Sequence, residues 1–152
     1  MVPTFNKEGA LPLGEHEISL AEFEQVFVYN ERRREIFNKF LKLIDDLRTI
    51  NCSLIYVDGS YVTDKEEPGD IDVCWHEDEF IDWDRLKKEL LILLDLEYPR
   101  HWQQLVYSAD VFPANVYDSN AKKLFKDFFQ QHKETGNPKG IIKIKIGYDQ
   151  KQ

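Results

Sequence analysis

Leu54-Ile55-Tyr56-Val57 is a short apolar, β-favouring run that stops at Asp58-Gly59-Ser60, and nine residues later the chain resumes as Asp70-Ile71-Asp72-Val73-Cys74-Trp75. The second piece reads as a strand carrying carboxylates at i and i+2. Successive side chains of a pleated strand alternate between faces, so Asp70 and Asp72 point the same way. Two ionised carboxylates held side by side repel each other. A divalent cation removes that repulsion, and a hard one such as Mg²⁺ prefers carboxylate oxygen. Gly59 has no side chain, so main chain at this turn can approach a phosphate closely.

Outward from this stretch the helical pattern is clear. Ser19-Leu20-Ala21-Glu22 has capping-box spacing and predicts a short helix to about Val28, with Phe23, Val26 and Phe27 on one side. Asn30 is a cap for a second helix over about Glu31 to Thr49, where Ile36, Phe37, Phe40, Leu41, Ile44 and Leu47 recur at helical spacing. Arg32-Arg33-Arg34 is the densest basic cluster and reads as a solvated helix start or as a contact for phosphate or an acidic partner. Asp82 caps a helix over about 83–96 with Leu86, Leu90, Leu93 and Leu94 as its stripe, and Tyr98-Pro99-Arg100 ends it.

Gln104 to Pro113 reads as a strand or hairpin, with Asp110 set between Ala109 and Val111-Phe112. A lone buried Asp is costly unless it is paired or binds a metal. Asp118-Ser119 can cap a helix from Asn120 to about His132, and 135–140 is a turn. Ile141 to Ile146 is then a half-buried strand, an edge strand by its lysines Lys143 and Lys145. The expected architecture is α+β, a mixed β-sheet with strands near 54–58, 71–75 and 105–113 and helices packed mainly on one face. Residues 1–152 form a single domain in this reading, with 1–17 as an irregular N-terminal arm.

The run from Leu54 to Phe112 resembles the nucleotidyltransferase superfamily of DNA polymerase β, and the small size is similar to its minimal nucleotidyltransferases. The matching features are an apolar strand, Gly59-Ser60, a spacer, Asp70-Ile71-Asp72-Val73, and a later-strand carboxylate in the place of Asp110. The resemblance implies a nucleotidyltransferase-like fold with Asp70, Asp72 and Asp110 as catalytic residues and ligands of Mg²⁺ or Mn²⁺. It implies that Gly59 and Ser60 hold the triphosphate, with Lys65 within reach of it. Two ions about 3.5–4 Å apart can hold the attacking and leaving oxygens of such a transfer. The implied reaction moves a nucleoside monophosphate from an NTP, ATP first, to a hydroxyl on a protein or RNA acceptor, a cognate toxin among the candidates. The alternative keeps the fold without turnover, as a binding module of antitoxin or regulator type acting through a protein partner. A stand-alone aminoglycoside-type enzyme is a third option, although the additional helical domain usual there is not evident.

The bulk numbers limit the classes. The chain has 152 residues, 42% of them hydrophobic and 13% aromatic, which suits a folded domain with a real core. Its formal charge of −8 argues against broad DNA or RNA binding, which draws its affinity from Lys and Arg. Cys52 and Cys74 are not in a Cys-x-x-Cys pair and read as small buried hydrophobes. No apolar run reaches the roughly 20 residues of a membrane span, and the first residues lack signal-peptide character, so a cytoplasmic protein is expected.

Overall fold

A computed structural model of the chain describes residues 2–97, 100–115, 117–118, 123–124 and 139–147. In chain order the elements are β1 (Glu15–Glu17), α1 (Leu20–Phe27), α2 (Glu31–Thr49), β2 (Leu54–Asp58), a single 3-10 turn at Ser60–Val62, β3 (Ile71–Trp75) and α3 (Trp83–Glu89). A second 3-10 turn (Leu91–Leu94), α4 (His101–Tyr107), β4 (Ala109–Pro113), β5 (Tyr117–Asp118), β6 (Lys123–Leu124) and β7 (Ile141–Lys145) follow.

Five strands form one mixed sheet in the order β1-β7-β2-β3-β4. The pairs β1–β7 and β3–β4 are parallel, and β7–β2 and β2–β3 are antiparallel. The fold is therefore α+β. Alternation sorts the side chains. Ile55, Val57, Ile71, Val73, Trp75, Ala109, Val111, Ile142 and Ile144 share a core with Phe23 and Phe27 of α1 and with Ile36, Phe37, Phe40, Leu43, Ile44 and Leu47 of α2. Fully burying one such side chain stabilises by about 1.5–3 kcal/mol, so α2 is the main clamp on this face. A smaller cluster of Tyr56, Cys74, Phe112, Ala114 and Ile141 lies on the opposite face.

The caps behave as their chemistry demands. The side chains of Ser19, Asn30 and Asp82 accept from the amides of Glu22, Arg33 and Arg85. Helix α2 ends at Thr49, and two residues on Asn51 has a φ of 66°, a left-handed conformation that Asn tolerates better than most residues.

Several expectations need correction. The arm over 1–17 is not wholly irregular: Glu15–Glu17 adds a strand to β7, and Ala10 and Leu11 are buried. That strand makes β7 an interior strand instead of an edge. The helix expected over 83–96 divides into α3 and a 3-10 turn. Residues 104–107, expected within a strand or hairpin, belong to the helix His101–Tyr107, and β4 begins only at Ala109. Val26 is exposed, not part of the apolar side of α1. The helix expected over 120–132 lies outside the described residues, except that Lys123–Leu124 pairs as a strand with Tyr117–Asp118. Of the turn expected over 135–140, Lys139 and Gly140 are described.

Candidate functional site

Ile71 and Val73 of β3 enter the core, so Asp70 and Asp72 are directed to the other face, in line with Cys74. Antiparallel pairing sets Asp72 opposite Asp58, and parallel pairing sets it opposite Asp110. One row across β2, β3 and β4 therefore carries three carboxylates, with Asp70 at the mouth of β3. Asp70, Asp72 and Asp110 each offer an oxygen within 4.8 Å of the others, and all three are half-buried. Like charges directly opposite on a sheet are destabilising, so the row needs compensation.

Part of that compensation is built in. Lys139 places its Nζ 3.0 Å from Asp58 Oδ1, with the two side chains 12% and 4% exposed. Arg100 reaches Asp110 with Nε at 3.0 Å from Oδ1 and Nη2 at 3.4 Å from Oδ2. One turn along α4, Gln104 Nε2 donates to Asp70 Oδ2 and to Asp110 Oδ1, both at 2.9 Å. These groups comprise four carboxylates and two cations. Cys74 reports the field: its thiol pKa is pushed well above the ordinary value, first by burial and then by the charges of Asp58 and Asp72.

The turn between β2 and β3 is shaped to lie on this row. Gly59 has φ of 82°, and a Cβ there would stand 2.4 Å from Asp72 Oδ2. Ser60 is half-buried and opens the 3-10 turn, where its carbonyl accepts from the Thr63 hydroxyl. A single 3-10 turn follows Gly59, so no α-helix N-terminus is presented at this point. What Lys65 contributes to the loop is main chain: its amide donates to Thr63 Oγ1 and its carbonyl accepts from Arg33, while its side chain is exposed.

Arg32 and Arg33 do something that the sequence reading missed. Neither is simply a solvated helix start, because both donate to main-chain carbonyls. Arg33 is buried at the N-terminal end of α2 and donates to the carbonyls of Phe27, Tyr61, Thr63, Lys65 and Glu66. Its guanidinium lies 4.6 Å and 4.9 Å from the ring centres of Tyr29 and Tyr61. Burial lowers its pKa. Arg32 continues the series to the carbonyls of Pro68 and Gly69. Together they hold the loop that joins Gly59-Ser60 to Asp70. Arg34 instead pairs with Glu24 at the surface.

Asp70, Asp72, Asp110 and Gly59 are thus brought together as the sequence suggested, and Lys139, Arg100, Gln104, Arg32 and Arg33 are additions. The orphan carbonyls of a 61–69 loop with no strand partner were the available signal for donors nearby. The oxygen-only donor set suits Mg²⁺ or Mn²⁺.

Fold and site together define an α+β domain with a cross-strand carboxylate row at one end of a mixed sheet. The chain belongs to DUF6932, a family of unknown function whose model matches residues 3–145. No curated protein and no solved structure matches the chain. Among the described residues, no helix is long and apolar enough to cross a membrane.

Proposed function

We propose that this domain is a metal-dependent nucleotidyltransferase that moves a nucleoside monophosphate from an NTP, ATP first, to a hydroxyl on a protein or RNA acceptor. The observation that carries this reading is the convergence of Asp70, Asp72 and Asp110 on one face of two parallel strands, with Gly59 main chain against Asp72. In the reaction the acceptor oxygen bonds to the α-phosphorus, the bond to the β-phosphate oxygen breaks, and pyrophosphate leaves. Asp70, Asp72 and Asp110 would hold Mg²⁺ or Mn²⁺. When bound, such an ion offsets phosphate charge and favours loss of the acceptor's proton. Gly59 leaves room for a phosphate to approach main chain beside Asp72. Lys139, on Asp58, supplies a cation next to the same row.

A second reading, a binding module of antitoxin or regulator type without turnover, is favoured by one observation: Asp110 is engaged by both Arg100 and Gln104. The test is incubation of the purified chain with each α-labelled NTP, Mg²⁺ or Mn²⁺ and whole-cell lysate. Nucleotidyl transfer predicts label on a protein or RNA that is lost in Asp70→Asn, Asp72→Asn and Asp110→Asn. NTP binding without any labelled acceptor would favour the module. Label that persists in the triple variant would refute the three-carboxylate mechanism.

A further inference from the structure

Nucleotidyl transfer to a macromolecule needs a surface that brings the acceptor hydroxyl to the carboxylate row. We infer that this surface is the acidic and apolar rim formed by the 64–67 loop, the outer side of α2 and the outer side of α4, and that it takes a protein segment rich in Lys or Arg and in apolar side chains, not RNA. The inference deepens the proposed function by naming the acceptor class, and it rests on that reading.

Contacts within the fold place this rim beside the row. Gln104 of α4 donates to Asp70 Oδ2 at 2.9 Å, so α4 and the end of the loop meet at the row itself. Helix α2 carries both of them: Arg32 donates to the Gly69 carbonyl and Lys39 to the Leu105 carbonyl. Helix positions seven apart share a face and lie about 10 Å from each other, so the loop end and α4 stand side by side along α2. Glu35 is exposed between them, three residues after Arg32 and four before Lys39. Glu67 is three residues before Asp70, no more than about 11 Å along the chain.

The chemistry of the rim selects the partner. Asp64, Glu66 and Glu67 are exposed on the loop, and with Glu35 they outnumber the exposed lysines Lys65 and Lys39. Asn30, Arg32 and Arg33 donate to loop carbonyls from Tyr61 to Gly69, so these acids are shown on a fixed turn that needs little ordering on binding. Helix α4 adds Trp102 and Leu105, 61% and 56% exposed, at i and i+3 and so on one side of the helix. An exposed tryptophan is the kind of anchor on which protein interfaces concentrate their energy. Single-stranded RNA also stacks on aromatic rings, but its sites set those rings in a basic groove. Phosphate binding draws on Lys and Arg, and the arginine cluster at this end is already engaged: Arg32 and Arg33 donate to main-chain carbonyls, and Arg34 pairs with Glu24. An acidic rim repels a phosphate backbone and attracts ammonium or guanidinium groups, which sets partner choice and register.

The test uses the full chain without nucleotide and two fluorescent probes read by anisotropy, an amphipathic peptide of Lys and Leu and an oligo(A) RNA. The wild type should bind the peptide about tenfold or more tighter than the RNA. Glu66→Lys/Glu67→Lys and Trp102→Ala/Leu105→Ser should each weaken peptide binding about tenfold or more. Glu79→Lys/Asp84→Lys reverses two exposed acids beyond the far end of β3, makes the same change in net charge as the loop variant, and should weaken binding less than about threefold. RNA bound as tightly as the peptide overturns the inference, and so does a peptide that does not bind. Equal weakening in the loop and control variants also overturns it, since binding would then follow net charge and not this rim. The two rim variants are independent, so the test stands if one of them does not fold. In the lysate assay with α-labelled NTP, the label should be removed by proteinase and survive ribonuclease. Label removed by ribonuclease overturns the inference and leaves nucleotidyl transfer standing. No label on any macromolecule overturns the transfer reading and this inference with it.

Discussion

Gly59 lies directly against Asp72: a Cβ on Gly59 would come within 2.4 Å of Asp72 Oδ2 and 3.0 Å of its Cγ. Glycine is required twice over here, by that contact and by a φ of 82°. The turn after β2 and the central carboxylate of the row are thus parts of one object.

Gly59→Ala should therefore lower stability by about 1–3 kcal/mol, the cost of a side chain in a disfavoured backbone region, and should push Asp72 out of the row. Thermal melting with and without millimolar Mn²⁺ reads both effects. The variant should melt lower than the wild type and lose most of the Mn²⁺-induced rise. Asp72→Asn should lose the same rise without the backbone penalty. A Gly59→Ala protein that melts like the wild type and keeps its Mn²⁺ response would show that the contact does not hold the site.

Arg33 should be the most sensitive of the three consecutive arginines. Its loss leaves the carbonyls of Phe27, Tyr61, Thr63, Lys65 and Glu66 short of a donor in a buried place. Hydrogen bonds to a charged group are worth about 1.5–3 kcal/mol each, so Arg33→Met should cost at least about 3 kcal/mol in urea unfolding. Arg33→Lys should rescue only part, because an ammonium cannot reproduce the planar fork. Arg34→Ala removes an exposed ion pair to Glu24 and should change stability by less than about 1 kcal/mol. Equal effects at Arg33 and Arg34 would contradict the loop-holding role.

The parts of this architecture that are locally consistent could be read from the sequence. Leu54–Asp58 and Ile71–Trp75 alternate between two buried faces, and Asn30 caps a helix whose apolar stripe is wide, so strand, turn, strand and the long helix follow from pattern alone. What depends on tertiary partners could not. Residues 101–107 include the β-favouring run Leu105-Val106-Tyr107, yet they are helical, and the buried Gln103 is held by Ile92 O and by both main-chain groups of Val111. Only with a helix over His101–Tyr107 do Arg100 and Gln104 come together over the acids, so reading Gln104 onward as a strand hid their pairing. Strand β1 is Glu15-His16-Glu17, with no apolar pattern, and its pairing is what turns β7 from an edge into an interior strand. Arg33 bonds main-chain oxygens, which carry no mark in a sequence.

Stability should fall in alkali. Burial pushes the Cys52 thiol pKa up from its ordinary 9.0 to about 11, and it raises Cys74, Tyr61 and Tyr107 as well. The Tyr107 hydroxyl, which donates to Asp46 Oδ2 at 2.7 Å, is further raised by that carboxylate. All four groups are neutral when protonated and hold the proton more tightly in the folded chain. Above about pH 9 the unfolded chain begins to release these protons while the native chain keeps them, so stability drops as pH rises. The contribution is fully present below the unfolded pKa values and is lost as pH climbs towards the folded ones. Melting temperature should be flat from neutrality to about pH 9 and decline beyond it, with a shallower decline in Cys52→Ala and Tyr107→Phe. A profile still flat near pH 11 would contradict the burial of these groups.

Asp58 and Lys139 should move stability and metal affinity in opposite directions. The pair is largely buried, so Lys139→Met leaves the Asp58 carboxylate without that counterion in a dry place, at a cost of about 3–5 kcal/mol. The same change deepens the negative potential over Asp72, which stands directly across from Asp58. Mn²⁺ should then bind more tightly to a less stable protein. A ligand that binds only the native state stabilises by about 2.7 kcal/mol at a hundred times its Kd. At roughly 2–4 °C per kcal/mol for a domain of this length, that is a rise of roughly 5–10 °C in the wild type. Lys139→Met should melt lower without metal and show a larger rise at the same Mn²⁺ concentration. Asp58→Asn/Lys139→Met removes both charges and should recover the metal-free melting point while returning the Mn²⁺ response to near the wild-type size. If Lys139→Met lowered stability and weakened Mn²⁺ binding together, the lysine would be a scaffold for the site and not a counterweight to its charge.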